Sequence, residues 1–262
     1  MAGFFGLFDF TKEGKGVNKD EPKKKAFFLF WDIYFRKFWQ LCRLNAIYLL
    51  CCLPIVTIGP ATAGFAYVLR NYSREEHAFV FADFKSAALK NFKQAFPVGL
   101  VQLFGTVILL FNFWFFLSGG EFMGSPLLGG VCLGLTALLL LAFTWLHFYI
   151  YTMIVTFDFS FKQLYKNSVL LVFGGFFHNL AASAGALFAW ALFGLSLFAI
   201  SYFLIFIFLC LALLLFFVFS FSGIAITFCT YPLIKKNIID PYYKDHPMPQ
   251  SEGYGYFDGS PD

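Results

Sequence analysis

The chain has 262 residues, of which 60% are hydrophobic, 13% are charged and 41 are phenylalanine, and its formal net charge is +4. A soluble globule of this composition would expose large apolar patches, which excludes soluble enzymes and soluble binding domains. The basic residues flank apolar stretches and form no stripe on one folded face. We therefore expect lipid headgroups as their partners and no nucleic acid.

The predicted elements begin with a polar N-terminal segment, residues 1–26, and an aromatic amphipathic helix that starts at Phe27. Aromatic side chains beside Arg36 and Lys37 are typical of a helix at the headgroup level. The first span covers residues 38–53. At about 1.5 Å per residue it reaches only about 24 Å, so it must start within the interface.

Two prolines and a glycine in residues 54–60 predict a break after this span. Residues 61–72 then lead back toward Arg70 and Arg74. This leg is either a short span or a re-entrant hairpin held among other helices, and both alternatives stay open. In both cases we expect protein around the break, because lipid would leave its backbone groups without partners.

The middle of the chain predicts a cytoplasmic amphipathic helix, residues 73–95, and then four apolar spans. The apolar side of the amphipathic helix consists of Phe79, Phe81, Phe84, Ala88 and Phe92. We place Pro97 in the first turn of the next span, where a missing N–H is tolerated. The spans are 97–117, 127–157, 168–189 and 197–219, joined by turns at 118–126 and 189–196 and by a basic loop at 158–167.

The last span is expected to bend at residues 220–223 and to continue to Lys235 and Lys236, followed by a flexible tail, residues 240–262. All 19 lysine and arginine residues lie outside the turns at 54–60, 118–126 and 189–196. Short loops keep basic residues on the cytoplasmic side, so both termini are expected there. The predicted fold is all-α: a polytopic transmembrane helical bundle with one membrane domain, 27–239, and about six membrane-inserted helices, five clear spans plus a short or re-entrant leg.

Motifs of soluble enzymes are absent from the sequence: it has no G-x-S-x-G, no H-E-x-x-H and no phosphate-binding glycine loop. The spans contain no Asp or Glu between their ends, which disfavours a carboxylate-driven ion pathway. The six cysteines show no C-x-x-C spacing and suit buried packing. We therefore expect no enzyme activity, no cofactor and no metal.

Polar residues inside the spans are the candidate sites: His178, near a predicted midplane, with Asn45, Thr57 and His147. Each can instead form a hydrogen bond between helices, without any ligand. Small residues also recur at helical spacing, as Gly130-x-x-x-Gly134 and as Ala181, Gly185 and Ala189, which indicates close helix packing.

A weak internal echo links two junctions of the chain. Asp-Phe followed by Lys-Asn occurs as Asp83-Phe84…Lys90-Asn91 and as Asp158-Phe159…Lys166-Asn167. The echo indicates either duplicated helical hairpins or similar requirements at two points where the chain enters the membrane.

Several strings together resemble the YesL-like bacterial integral membrane proteins, a family without an established activity. The most specific is Thr57-Ile58-Gly59-Pro60-Ala61-Thr62. The others are Gly14-Lys15-Gly16-Val17, Phe35-Arg36-Lys37-Phe38-Trp39 with Asn45 and Tyr48, Asp83-Phe84, Lys93-Gln94-Ala95-Phe96, Lys166-Asn167, Tyr231-Pro232-Leu233 and Pro241-Tyr242-Tyr243. The resemblance implies a multi-pass protein of the bacterial cytoplasmic membrane, often encoded beside binding-protein-dependent sugar importers and their sensor kinases, and it supplies no catalytic residues.

Two functions remain open. The first is a non-enzymatic accessory or regulatory component of carbohydrate uptake, which contacts an importer or sensor kinase through the cytoplasmic lysines Lys85, Lys90 and Lys93. The alternative is a small autonomous permease, in which the break at 54–60 lines a cavity with Asn45, Thr57 and His178. An intramembrane enzyme is disfavoured because no nucleophile–base pair is visible.

Overall fold

A computed structural model of the protein describes residues 25–119, 124–200, 203–204 and 206–245. Over these residues the regular structure is helical, with no strand, as predicted. A short 3₁₀ turn, Ile55–Thr57, follows the second helix, and a π turn, Lys235–Ile239, follows the tenth. The α-helices are α1 Ala26–Arg36, α2 Phe38–Cys52, α3 Ile58–Ser73, α4 Val80–Lys90, α5 Phe92–Leu117, α6 Pro126–Ile154, α7 Phe161–Gly174, α8 Phe176–Ile200, α9 Phe206–Phe216, α10 Val218–Ile234 and α11 Asp240–Asp245.

Four helical segments in the described part of the chain are long and apolar enough to cross a membrane: Phe92–Leu117, Pro126–Ile154, Phe176–Ile200 and Val218–Lys244. Helices α2 and α9 are apolar but shorter. The described part of the chain is therefore all-α, with four helices that are candidates for membrane spans.

One arrangement recurs three times along the chain. A short helix ends at a single non-helical residue, and an apolar helix follows at once with a phenylalanine: α1 and α2 around Lys37, α4 and α5 around Asn91, α7 and α8 around Gly175. The helices after these breaks begin with Phe38, Phe92 and Phe176. The predicted echo does not coincide with this pattern, because Lys90-Asn91 lies at the end of α4 whereas Lys166-Asn167 lies within α7.

Helix α3 lies at the centre of the bundle. It packs against α2, α4, α5, α6 and α10, and twelve of its sixteen residues are buried. Its closest approach is to α5, where a Cβ built on Gly99 would lie 2.6 Å from the Cα of Gly59. Only glycines allow two backbones to meet this closely.

The turn between α2 and α3 does not lie level with the turn between α5 and α6. Gly59 contacts Gly99, and the 18 residues from Gly99 to Leu117 extend about 27 Å further along α5. The turns at 54–60 and 118–126 therefore lie at different levels of the bundle. Protein surrounds only part of the break, since Gly59 and Pro60 are buried but residues 53–56 are exposed.

The predicted turn at 189–196 is wrong, because α8 continues without interruption from Phe176 to Ile200. Gly194 has open space around it, and the Ser196 hydroxyl donates to the Phe193 carbonyl, so neither residue stops the helix. The span predicted as 168–189 includes the end of α7 and the first part of α8, and the span predicted as 197–219 includes the end of α8, α9 and the start of α10. The bend expected at 220–223 falls at Phe217, and Pro97 lies inside α5 rather than in its first turn.

At the N-terminal end, residue 25 and α1 lie within the described part of the chain, whereas residues 1–24 lie outside it. At the other end, α11 continues the helical path through Asp245, within the predicted flexible tail. The remainder of that tail lies outside the described residues.

Candidate functional site at the basic end

Contacts between distant segments bring many of the basic residues to one end of the bundle. The Arg36 guanidinium lies 2.7 Å from a Glu75 carboxylate oxygen. Arg74 pairs with Glu76 at 2.6 Å and stacks over the Tyr231 ring. We call this the basic end; it comprises the α1–α2 junction, the end of α3, helix α4, residues 155–159 and the end of α10.

A polar cleft of about 290 Å³ opens at the basic end between α3, α4 and the end of α6. Its polar side chains include two carboxylates, an ammonium group, an amide, two hydroxyls and a phenol. Together they can bind a polar segment of another molecule through hydrogen bonds and charge. The lining residues are Tyr67, Asp83, Ser86, Ala87, Lys90, Asn91, Ile154, Val155, Thr156, Phe157 and Asp158.

A buried arginine supports the wall of this cleft. The Nη1 group of Arg70 donates to the Val155 carbonyl at 2.8 Å and to the Thr156 hydroxyl at 3.0 Å. Nε and Nη2 donate to Asn71 Oδ1, and the guanidinium lies over the Tyr67 ring. Burial, followed by the charge of Arg74, lowers the pKa of Arg70 from its ordinary value. A guanidinium still stays protonated, so Arg70 holds a positive charge at the carboxyl end of α6, where the helix dipole favours it.

The three lysines predicted to contact a partner lie in three different surroundings. Lys90 lines the polar cleft. Lys85 lines a separate apolar groove between α2 and α4. Lys93 is exposed on the first turn of α5 and lines neither. The structure therefore does not bring them together at one site.

Asn45, a candidate for solute binding, stabilises an interrupted helix. Its amide nitrogen donates to the carbonyls of Leu214 and Leu215 at 2.9 and 2.8 Å, and its oxygen accepts from the backbone N–H of Ser220 at 2.7 Å. These groups flank Phe217, where α9 ends and α10 begins. Asn45 thus supplies partners for backbone groups that the break would otherwise leave unpaired.

Thr57 likewise ends a helix. Its hydroxyl is within hydrogen-bonding distance of the Cys51 carbonyl (2.5 Å) and of the Pro54 carbonyl (2.8 Å), at the carboxyl end of α2. Asn45, Thr57 and His178 have their neighbours in different parts of the molecule, so they do not meet around one cavity.

The two histidines differ in burial. His147 is buried in α6, with Nδ1 hydrogen-bonded to the Phe143 carbonyl at 2.8 Å and Nε2 without a hydrogen-bond partner. His178 lies on the exposed face of α8. Its neighbour Asn179 is fully buried; it accepts from the Tyr149 hydroxyl at 2.5 Å and donates to the Val172 carbonyl at 3.0 Å.

The cleft residues Asp83, Asn91 and Asp158 were not among the predicted site residues, although a signal for them existed. All three, with Lys90, belong to the two copies of the Asp-Phe…Lys-Asn string. Asp83 also has a structural role, because its Oδ2 accepts from the Phe79 N–H at 2.8 Å at the start of α4. Arg70 has no comparable sequence signal beyond being an arginine in an otherwise uncharged segment.

Comparison with known protein families gives a match to part of the chain. The family described as "Protein of unknown function, DUF624" matches residues 41–113, which cover most of α2, then α3, α4 and most of α5. No curated protein and no solved structure matches the chain. The chain is thus similar, over its first hairpin and one side of the polar cleft, to a family of unknown function.

Proposed function

We propose that this chain is a non-enzymatic accessory or regulatory membrane protein that binds a partner through the polar cleft at its basic end. The observation that carries the proposal is the contrast between the cleft and the intramembrane polar groups. The cleft presents Lys90 and Asp158 to the surroundings, whereas Asn45, Thr57 and Asn179 are engaged in hydrogen bonds within the bundle.

The YesL-like resemblance supplies the class of partner. It favours a binding-protein-dependent sugar importer or its sensor kinase, in the cytoplasmic membrane of a bacterium. Within this proposal the basic end and both termini face the cytoplasm, since basic residues are retained there. Residues 38–73 then form a re-entrant hairpin, because the turn at 54–57 lies beside α4 and the first turns of α5.

Cysteine labelling tests the orientation independently of function. On a cysteine-free background, we expect a cysteine at Glu121 to react with an impermeant maleimide from outside. Cysteines at Lys15 and Gly253 should react only after permeabilisation. These three positions lie outside the described residues. Reaction from outside at position 15 would overturn the orientation.

Charge reversal tests the partner contact. We expect Lys90→Glu to lower sugar uptake in cells that carry the importer, and Lys85, Lys90 and Lys93 reversed together to lower it at least as much. The matched control is Lys162→Glu with Lys166→Glu, which reverses exposed charges on α7 that do not line the cleft. Normal uptake with Lys90→Glu, or equal loss in the control at equal membrane levels, would contradict the proposal.

A small autonomous permease stays the rival because of one observation: α9 and α10 form a broken helix beside Asn45. Broken helices expose backbone groups that can bind solutes. The purified chain alone in liposomes separates the two functions. We expect no sugar flux; flux in the absence of any partner would end the accessory proposal.

A further inference from the structure

A second cavity of the molecule differs from the polar cleft because apolar side chains line almost all of it. It is a groove of about 440 Å³ between the α2–α3 turn and α4. Its walls are apolar apart from Thr57 and Lys85, and they include Ile47 and Leu50 of α2 and Leu89 of α4. The volume falls within the range of small-molecule sites, about 300–1,000 Å³.

The rims of the groove are also apolar and exposed. Leu50 and Leu53 are 67% and 78% exposed on the α2 side, and Phe81 and Leu89 are 63% and 64% exposed on the α4 side. A surface of this kind next to water would drive aggregation, whereas next to a bilayer it meets acyl chains. The groove therefore opens toward lipid.

Two cations lie at this apolar surface. Lys85 is exposed and lines the groove itself. Arg43 is exposed four residues before Ile47, which places it one turn away on the same face of α2. Cations beside an acyl-chain groove complement the phosphate of a lipid headgroup, and each contributes about 1 kcal/mol near an anionic surface.

We propose that this groove is a binding site for an anionic phospholipid, with one acyl chain between α2 and α4 and the phosphate at Lys85 and Arg43. The site is distinct from the polar cleft and does not depend on the accessory role. It gives Arg43 and Lys85 a common role as headgroup ligands, and it removes Lys85 from the predicted partner contact.

Native mass spectrometry of the full chain, released from detergent with defined lipids, tests the site. We expect dioleoyl phosphatidylglycerol to bind about 30-fold more tightly than dioleoyl phosphatidylcholine, as two cations imply. Arg43→Ala and Lys85→Ala should each reduce this preference about fivefold, and the double variant should abolish it. Binding of phosphatidylcholine should persist in the double variant, which shows that the groove is still folded.

Two controls test whether the preference for the anionic lipid arises at the groove. Lys162→Ala with Lys166→Ala removes the same charge from α7 and should leave the preference intact. Glycerophosphoglycerol, the headgroup without acyl chains, should not displace the lipid. Equal affinity for the two lipids, an equal loss in the α7 control, or displacement by the free headgroup at the lipid's own concentration would each overturn the proposal.

Discussion

The first hairpin, α2 and α3, and the hairpin of α5 and α6 differ in what surrounds them: other helices enclose α3, whereas most of α5 and α6 lies outside the core. Most of α3 is buried by its neighbouring helices, and it contains Arg70, Asn71 and several small residues. In α5 the buried residues are Ala95, Val98 and Gly99, all within its first two turns. In α6 most buried residues fall in the last ten, from Trp145 to Ile154. The long hairpin therefore joins the bundle only at the basic end.

The most apolar of these helices have the smallest buried fractions. The apolar windows of α5 and α6 have mean hydropathies of 2.0 and 2.3, and 0% and 11% of their residues are buried. The segment that contains α10 has a mean hydropathy of 1.3 with 56% buried. A lipid-facing helix must be apolar because lipid offers no partners, whereas a helix enclosed by protein can hold polar groups whose partners are other helices.

The largest effect is expected at the contact between the two hairpins. Gly59→Leu places a side chain against the Ala95 carbonyl and the Cα of Gly99, which are backbone atoms that cannot move aside. We expect the free energy of unfolding in detergent to fall by more than about 3 kcal/mol.

A matched glycine separates this clash from the general effect of a larger side chain. Gly130 lies in α6 with nothing within 4 Å of its Cβ position. Gly130→Leu should leave stability unchanged or raise it by up to about 1 kcal/mol, since glycine is a poor helix former. Similar losses for both variants, measured as unfolding midpoints, would mean that the first hairpin is no more tightly packed than the second.

The next largest effect concerns a fully buried amide, Asn45, and a partly buried one, Asn112. Asn45→Leu removes three hydrogen bonds to the interrupted helix, and at about 0.6 kcal/mol for each we expect a loss of about 2 kcal/mol. Asn112→Leu on α5 removes only a bond to its own helix, at the Ile108 carbonyl, and should be neutral. A neutral Asn45→Leu would show that the break at Phe217 needs no support from α2.

The sequence was sufficient to predict a helix where a single pattern determines the structure of the whole segment. Uninterrupted apolar runs bounded by turn residues located α5 and α6 to within a few residues of 97–117 and 127–157. The same rule failed at 189–196, because an isolated Gly194 two residues before a serine looks like a turn in sequence. In α8 their backbone groups keep helical partners, and no neighbouring segment forces the chain to reverse there.

The contents of the site were harder to predict than the helices. The location of Lys90 at an exposed, polar position followed from the amphipathic pattern of α4. Asp83 and Asp158 line the same cleft because of the way in which α3, α4 and α6 cross, and no local sequence pattern encodes that crossing. In α8 nearly all residues are apolar, so the sequence has no polar face that would distinguish the buried side from the exposed one.

Neighbouring residues in α8 provide the smallest and most direct test, because a helix turns by about 100° from one residue to the next. His178 is exposed, whereas Asn179 is buried between the Tyr149 hydroxyl and the Val172 carbonyl. We expect Asn179→Leu to cost about 1 kcal/mol, since two hydrogen bonds are lost and the Tyr149 hydroxyl is left buried without its partner. His178→Leu, which only replaces a polar group on a lipid-facing surface, should not lower the unfolding midpoint. The reverse order of stabilities would mean that α8 is rotated by one residue relative to α6, and the hydrogen bonds assigned here to Asn179 would then belong to the imidazole of His178.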